Sequence, residues 1–216
     1  MTAEVIDPVQ AMDAAFAGRS CQLVDQAGIP RPMALRRWTG PVDATDRARL
    51  LERCRRRTID VGCGPGRLVA GLAALDLPAL GIDISLEAVR QARRRGALAI
   101  RRDVFATVPG EGRWDCALLA DGNIGIGGRP ERLMRRIRRI LRPGGHVVVE
   151  LAAEGTDVVH HRWRLRVGGR LTPTFDWAVV GLDAIERVAS DAGFVVEDTA
   201  STDGRHAAVL RQAAPW

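Results

Sequence analysis

A mostly parallel α/β sheet with helices on both faces is the fold class that this 216-residue sequence predicts. Three observations predict it. Short apolar runs alternate with helical patterns through the middle of the chain. A glycine-rich turn joins the first of those runs to a helix. After Leu151 the pattern changes to alternating, hairpin-like segments. Strands spaced by helices imply right-handed parallel crossovers and a sheet covered on both faces. The alternating tail implies antiparallel closure of that sheet.

The elements follow in order. A helix is expected over 8–17. Gly28, Pro30, Pro32, Gly40 and Pro41 then break the chain into loops. A second helix reads at about 46–55, with Asp43 or Thr45 as its N-cap. Strands read at 58–62, 79–83, 98–102, 116–120 and 146–151, with helices at about 66–75, 85–95 and 130–142. The last helix is the most periodic. Leu133, Met134, Ile137, Ile140 and Leu141 share one stripe, and six arginines lie off it. Pro130 suits its first turn, and Pro143-Gly144-Gly145 ends it. Residues 158–167 and 175–180 read as a hairpin around Gly168-Gly169. A helix at 182–192 stops at Gly193. Strands at 195–199 and 207–211 turn at Asp203-Gly204. The chain divides into a lid segment over 1–45 and a main domain over 46–216, with a hairpin insertion at about 155–180.

Composition excludes several classes. At 46% hydrophobic the chain is globular, and no apolar run approaches the ~20 residues of a membrane span. The first seven residues lack the basic start of a signal peptide. Cys21, Cys54, Cys63 and Cys116 are scattered, without a Cys-x-x-Cys pair. We expect reduced thiols, no metal site and a cytoplasmic location. A net charge of +6 invites a nucleic-acid reading. Yet all 32 basic residues are arginine, Tyr and Lys are absent, and Asn123 is the only Asn. GC-rich codons explain that profile at least as well as a polyanionic partner does.

The most informative segment is Asp60-Val61-Gly62-Cys63-Gly64-Pro65-Gly66, running from a strand into a helix. Such a turn holds a ligand at the carboxyl end of the first strand, over a helix N-terminus. Dinucleotide sites space their glycines as Gly-x-Gly-x-x-Gly. Here they fall at 62, 64 and 66. Pro65 has no amide to donate, and Asp60 puts a carboxylate before the turn. A ligand with an amino group suits that arrangement better than a pyrophosphate.

This segment resembles motif I of the class I S-adenosylmethionine-dependent methyltransferases, and the resemblance covers about residues 46–212. It implies a three-layer Rossmann-like methyltransferase fold, with a mostly parallel seven-stranded sheet and an antiparallel C-terminal strand. It also implies S-adenosyl-L-methionine as cofactor and S-adenosyl-L-homocysteine as product. By the resemblance, Asp60 orients the cofactor's amino group, and the turn through Gly62, Cys63, Gly64 and Gly66 cradles its methionine part. Asp83, at the end of the second strand, takes the ribose hydroxyls, with Ile84 beside the adenine. Asp103 and Val104 meet the adenine edge. Asp121, Gly122 and Asn123 follow the fourth strand, where this family faces the reacting methyl. The amino-group DNA methyltransferase motif Asn/Asp-Pro-Pro-aromatic is missing there. Arg37 is a candidate for the cofactor carboxylate, and Trp38, Trp163 and Trp177 for the pocket wall. Asp121, His160 and His161 are candidates for a general base, and Asn123 for a contact at the methyl.

The expected activity is therefore in-line methyl transfer to nitrogen or oxygen of a small-molecule acceptor, by a monomer or homodimer. The competing reading is an RNA methyltransferase or nucleic-acid-binding protein. A basic groove beside the cofactor cleft would favour it, and arginines spread over outer helix faces would count against it.

Overall fold

The structure is a computed structural model that describes residues 6–213. The expected absence of a signal peptide rests mainly on residues outside that range, as does the extreme end of the main domain.

In chain order the elements are α1 (Pro8–Phe16), β1 (Cys21–Val24), β2 (Pro30–Arg31), α2 (Leu35–Thr39), α3 (Ala44–Arg49) and β3 (Thr58–Val61). Then come α4 (Arg67–Ala73), β4 (Ala79–Asp83), α5 (Leu86–Arg94), β5 (Ala99–Arg101), β6 (Trp114–Leu119) and α6 (Pro130–Ile140). The chain continues through β7 (Leu141–Leu151), β8 (Val158–Val167), β9 (Arg170–Leu171), β10 (Phe175–Val180), α7 (Ile185–Asp191), β11 (Phe194–Thr202) and β12 (Arg205–Gln212).

The main sheet has seven strands in the order β11-β12-β7-β6-β3-β4-β5. Only β12 runs against its neighbours; the pairs from β7 through to β5 are parallel. From β3 the chain builds outward first through β4 and β5, then on the other side through β6 and β7. The topological switch therefore lies between β3 and β6, where open α/β sheets bind ligands.

Alternation along the strands fills two layers. Ala117 and Leu119 face α6 and α7, where Leu133, Met134, Ile137, Val188 and Ala189 are buried. Cys116, Leu118 and Ala120 face the other way, onto Leu50, Leu51, Leu68 and Leu72. Such two-sided burial is why the central strands read as unbroken apolar runs.

Three local expectations change. The helix expected over 130–142 stops at Ile140. Leu141 already pairs with Trp114, and Pro143-Gly144-Gly145 forms an irregularity inside β7 before His146 pairs with Cys116. The second expected helix starts earlier, capped by Asp43, whose carboxylate accepts from the Asp46 amide, and ends in a 3-10 turn over Leu51–Arg53.

The third change is the largest. The segment after α1 is not all loop. β1 and β2 join β8, β9 and β10 in a second, antiparallel sheet ordered β10-β8-β1-β2, with β9 beside β8. Alternation puts Leu165 and Val167 on its inner face, against Ala11 and Ala14 of α1. Residues 21–31 and the hairpin after β7 thus share one sheet, invisible to local patterning because their pairing spans more than 100 residues.

Candidate active site

The glycine turn after β3 uses its three glycines differently. Gly62, Gly64 and Gly66 have φ of +72°, +51° and +78°, backbone that favours glycine. A Cβ on Gly62 would come within 2.7 Å of the Asn123 amide, and one on Gly66 within 2.6 Å of Ala92 on α5. Those two permit close packing. A Cβ on Gly64 would meet only the Phe16 ring, at 3.9 Å, so this position opens onto a cavity.

That cavity measures about 560 Å³ and lies over the carboxyl ends of β3, β4 and β6. Asp60, Asp83 and Asp103 all line it, with Gly62, Cys63, Gly64, Ile84, Val104, Asp121 and Asn123. Phe16, Met12 and Val9 of α1 form its roof, and Trp38 and Trp177 contribute wall. α1 is fastened to α5. Asp13 accepts from the Ser85 hydroxyl and, at 3.0 Å, from the Glu87 amide, while Gln91 donates to the Phe16 carbonyl at 2.7 Å.

Each carboxylate has its own environment. Asp60 is 1% exposed, and its Oδ2 is buried without a hydrogen-bond partner. Burial pushes its carboxyl up to about 8, against the pull of Arg67 and with added repulsion from Asp121 and Asp83. An orphaned carboxylate oxygen is costly, and Asp60 belongs to the cavity lining, where a ligand could bring a donor or cation. Asp83 accepts from the Gly64 amide and the Ser85 amide, both at 2.8 Å. It thereby ties the glycine turn to the start of α5. Ser85 caps α5 with its own hydroxyl, so Asp83 is not consumed as a cap. Burial raises the Asp83 carboxyl, opposed by those backbone donors. Asp103 is exposed at the rim and accepts from the Phe105 amide at 2.9 Å.

The loop after β6 differs from a flexible glycine tract. A Cβ on Gly125 would collide with the Ala178 carbonyl, and one on Gly128 would reach 2.6 Å from Asp176. These glycines seat the loop against β10. Gly122 has φ of +78° and nothing nearby. The Asn123 amide donates to the carbonyls of Val61 and Gly62, both at 2.9 Å. Both its N–H groups are used, so Asn123 straps the two loops together instead of presenting a donor at the methyl.

Asp121 is equally committed. It sits at φ +54°, and its carboxylate pairs with Arg67 at 2.9 Å and Arg37 at 3.2 Å. Its amide donates to Glu150 at 2.7 Å. Burial raises its carboxyl, and the two guanidiniums oppose that. Arg67 also pairs with Asp46, which in turn holds Arg205 at 2.6 Å. This buried network fixes α2 and α3 to the ends of β6 and β7.

Five expected residues land elsewhere: Gly66 and Gly122 do not line the cavity, and three others are drawn into different contacts. Arg37 does not line the cavity; its guanidinium serves Glu150 at 2.8 Å, Asp121 and Asp46. His160 and His161 lie outside the cavity too, on a neighbouring groove. His160 Nδ1 donates to the Gly128 carbonyl at 2.9 Å, and His161 stacks on Trp163 with centroids 4.7 Å apart. β8 meets β1 only over 164–167; the histidines lie earlier on the strand, opposite Ala178 and Trp177 of β10, beyond the cavity wall. Trp163 follows them, whereas Trp38 and Trp177 do reach the cavity.

Sequence reasoning missed Arg67, Glu150 and the α1 roof. Each had a signal. Arg67 and Glu150 are charges beside buried apolar runs, Leu68-Val69 and Val147-Val148-Val149. Val9, Met12 and Phe16 are spaced as one helical face.

A sheet in this order, with a glycine turn and acids at the ends of its central strands, defines a methyltransferase of the Rossmann-like class. A family model described as a methyltransferase domain matches residues 30–199, and the chain belongs to that family. No curated protein matches the sequence. Among solved structures, a methyltransferase from Bacteroides fragilis, determined with S-adenosyl-L-homocysteine, is 19% identical. The match covers 96% of this chain and 95% of that one, with a TM-score of 0.77. The 1,6-didemethyltoxoflavin-N1-methyltransferase of Burkholderia thailandensis is 16% identical, with TM-score 0.60, covering 99% and 94%. A sugar N-methyltransferase from a Streptoalloteichus species is 18% identical, with TM-score 0.57, covering 74% and 81%.

Proposed function

We propose that the protein transfers methyl groups from S-adenosylmethionine to nitrogen or oxygen of a small-molecule acceptor. One observation carries this reading. The unpartnered Asp60 carboxylate and the open face of Gly64 share one cavity roofed by α1. A buried carboxyl without a partner fits the cofactor's amino group, whose charge would favour its ionised form, and a missing Cβ fits the cofactor's close approach. In this reading Asp83 would take the ribose, Ile84, Asp103 and Val104 the adenine, and Asp121 would lie toward the sulfonium side. When bound, S-adenosylmethionine supplies a methyl already activated for displacement.

The chain's own residues then align the acceptor and exclude water. Phe16, Met12 and Trp38 close the cavity, and Trp177 bounds the acceptor's approach. Asp121 serves as a positioning residue through its guanidinium pairs, and Asn123 by holding the turn. A site roofed by a helix favours a small acceptor over a polymer. Relatives whose names specify sugar and toxoflavin-precursor N-methylation support this.

Calorimetry with S-adenosylhomocysteine tests the cofactor half. Micromolar binding is expected in the native protein, with loss of at least tenfold in Asp83→Ala. No binding at all would sink the reading. Labelled methyl offered with a metabolite extract and with total RNA tests the acceptor half. Label in the metabolite fraction is expected; label confined to RNA would move the function to the competing class.

A further inference from the structure

We propose that the groove beside the cavity holds an anionic group, a phosphate ester or diphosphate, at the end of the acceptor remote from the reacting atom. This rests on the methyl-transfer reading above.

The groove measures about 760 Å³ and gathers Arg129, Arg132, Arg135 and Arg162 with His160 and His161, against two carboxylates, Glu131 and Asp176. It adjoins the transfer cavity directly, since Gly127, Asp176 and Trp177 line both. The wall between them is held by backbone pairing of Ile126 with Trp177. A cavity of about 560 Å³ is of the size that suits one drug-sized molecule. With a cofactor in it, only the reacting end of an acceptor has room, and the remainder leaves over Trp177 into the groove.

Arg135 donates to the Asp191 carbonyl at 3.2 Å, but two of the other charges there are not explained by folding. Arg129 and Arg132 sit at the N-cap and first turn of α6, where the helix dipole is already positive and disfavours cations. Among the described residues Arg129 has no side-chain hydrogen bond or ion pair, and Arg132 rests only on the Phe105 ring, 4.6 Å from its centre. No side chain caps α6, so its first amides also lack a side-chain acceptor. Arg162 is tethered to Thr174 at 3.1 Å and lies 3.6 Å from Asp176. His160 is held by its Nδ1, which leaves Nε2 for a ligand. Two uncompensated guanidiniums and a positive helix end match a phosphate's charge and its acceptor oxygens, and the fixed His160 ring adds a donor at Nε2 when doubly protonated. Glu131 and Asp176 break the positive surface, so it suits a single anionic group better than a phosphodiester track. The three arginines at 55–57 precede β3 and lie at the opposite end of the sheet.

The test titrates pyrophosphate, phenyl phosphate, phenylacetate and a twelve-nucleotide single-stranded RNA into the protein, with and without S-adenosylhomocysteine. Saturable pyrophosphate binding is expected, with phenyl phosphate binding at least tenfold tighter than phenylacetate. The double variant Arg129→Ala/Arg162→Ala should weaken pyrophosphate at least tenfold and leave S-adenosylhomocysteine affinity within twofold, which also certifies its fold. Absent pyrophosphate saturation, or equal affinity in the double variant, overturns the subsite. RNA binding a hundredfold tighter than pyrophosphate, and equally weakened by Arg55→Ala/Arg56→Ala, overturns it in favour of a nucleic-acid surface. If S-adenosylhomocysteine fails to bind while the pyrophosphate results hold, the transfer reading falls and the anion site stands.

Discussion

Asp60 and Asn123 carry the sharpest residue-level expectations. With a carboxyl raised to about 8, Asp60 stays largely protonated at neutral pH in the free protein. Its unfolded value is about 4. The folded state therefore binds the extra proton between those limits, and this group's effect on stability becomes more unfavourable as pH rises from about 4 to about 8. An ammonium partner needs the ionised form, so cofactor affinity should rise toward pH 8, by up to about tenfold per pH unit. Calorimetry at pH 6, 7 and 8 checks this, and Asp60→Asn should flatten the dependence. Asn123→Ala removes two hydrogen bonds that join the turn to the loop after β6. A loss of about 1–2 kcal/mol is expected in denaturant unfolding, with weaker S-adenosylhomocysteine binding. Unchanged stability and affinity beside a reduced turnover would return Asn123 to the methyl itself. The sequence singled out Asn123 by rarity, and the residue lines the cavity. Its role needed the positions of the Val61 and Gly62 carbonyls, which lie about sixty residues away.

α1 is the element whose behaviour matters most. It roofs the cavity through Val9, Met12 and Phe16 and is fastened to α5 chiefly through Asp13. Asp13→Ala should leave β3 to β7 intact and raise amide exchange across 8–16. Cofactor affinity should fall by about tenfold, roughly 1.4 kcal/mol. Hydrogen exchange by mass spectrometry reads the first effect. Protection of α1 equal to the native protein would show that packing on Leu165 and Val167 suffices without the acid. Helix α6 teaches a related lesson. Its apolar stripe follows the sequence expectation, but its arginines are not merely solvated. Arg136 donates to the Val104 carbonyl at 2.8 Å and pairs with Glu111, bracing the loop after β5.

Across the whole molecule, a buried ionic network holds α2 and α3 to the sheet. Asp46 is 1% exposed and Arg67 3%. Burial alone would raise the Asp46 carboxyl, yet Arg205 and Arg67 hold it below its ordinary value. Its stabilising effect is thus present at neutral pH and lost as pH falls through that lowered value. Asp46→Ala leaves both guanidiniums without their shared partner. A cost of about 3–5 kcal/mol is expected in urea unfolding. A loss below 1 kcal/mol would mean that Asp121 and Glu150 absorb both charges.

Local chemistry settled much of this protein before any coordinates. The period of the apolar residues placed β3 to β7 and their helices, because burial on two faces writes itself directly into neighbouring residues. The glycine turn and the acids at 60, 83 and 103 were readable for the same reason: each sits at a strand end, and strand ends converge in a parallel sheet. Tertiary structure decided what depends on distant partners. It joined residues 21–31 to the insertion, turned His160 and His161 away from the cavity, and tied Arg37 and Asp121 into ion pairs. It also gathered α6 and β8 arginines into one groove. Such contacts depend on partners far away in the chain, more than 100 residues for β1 and β8, and local sequence does not record them.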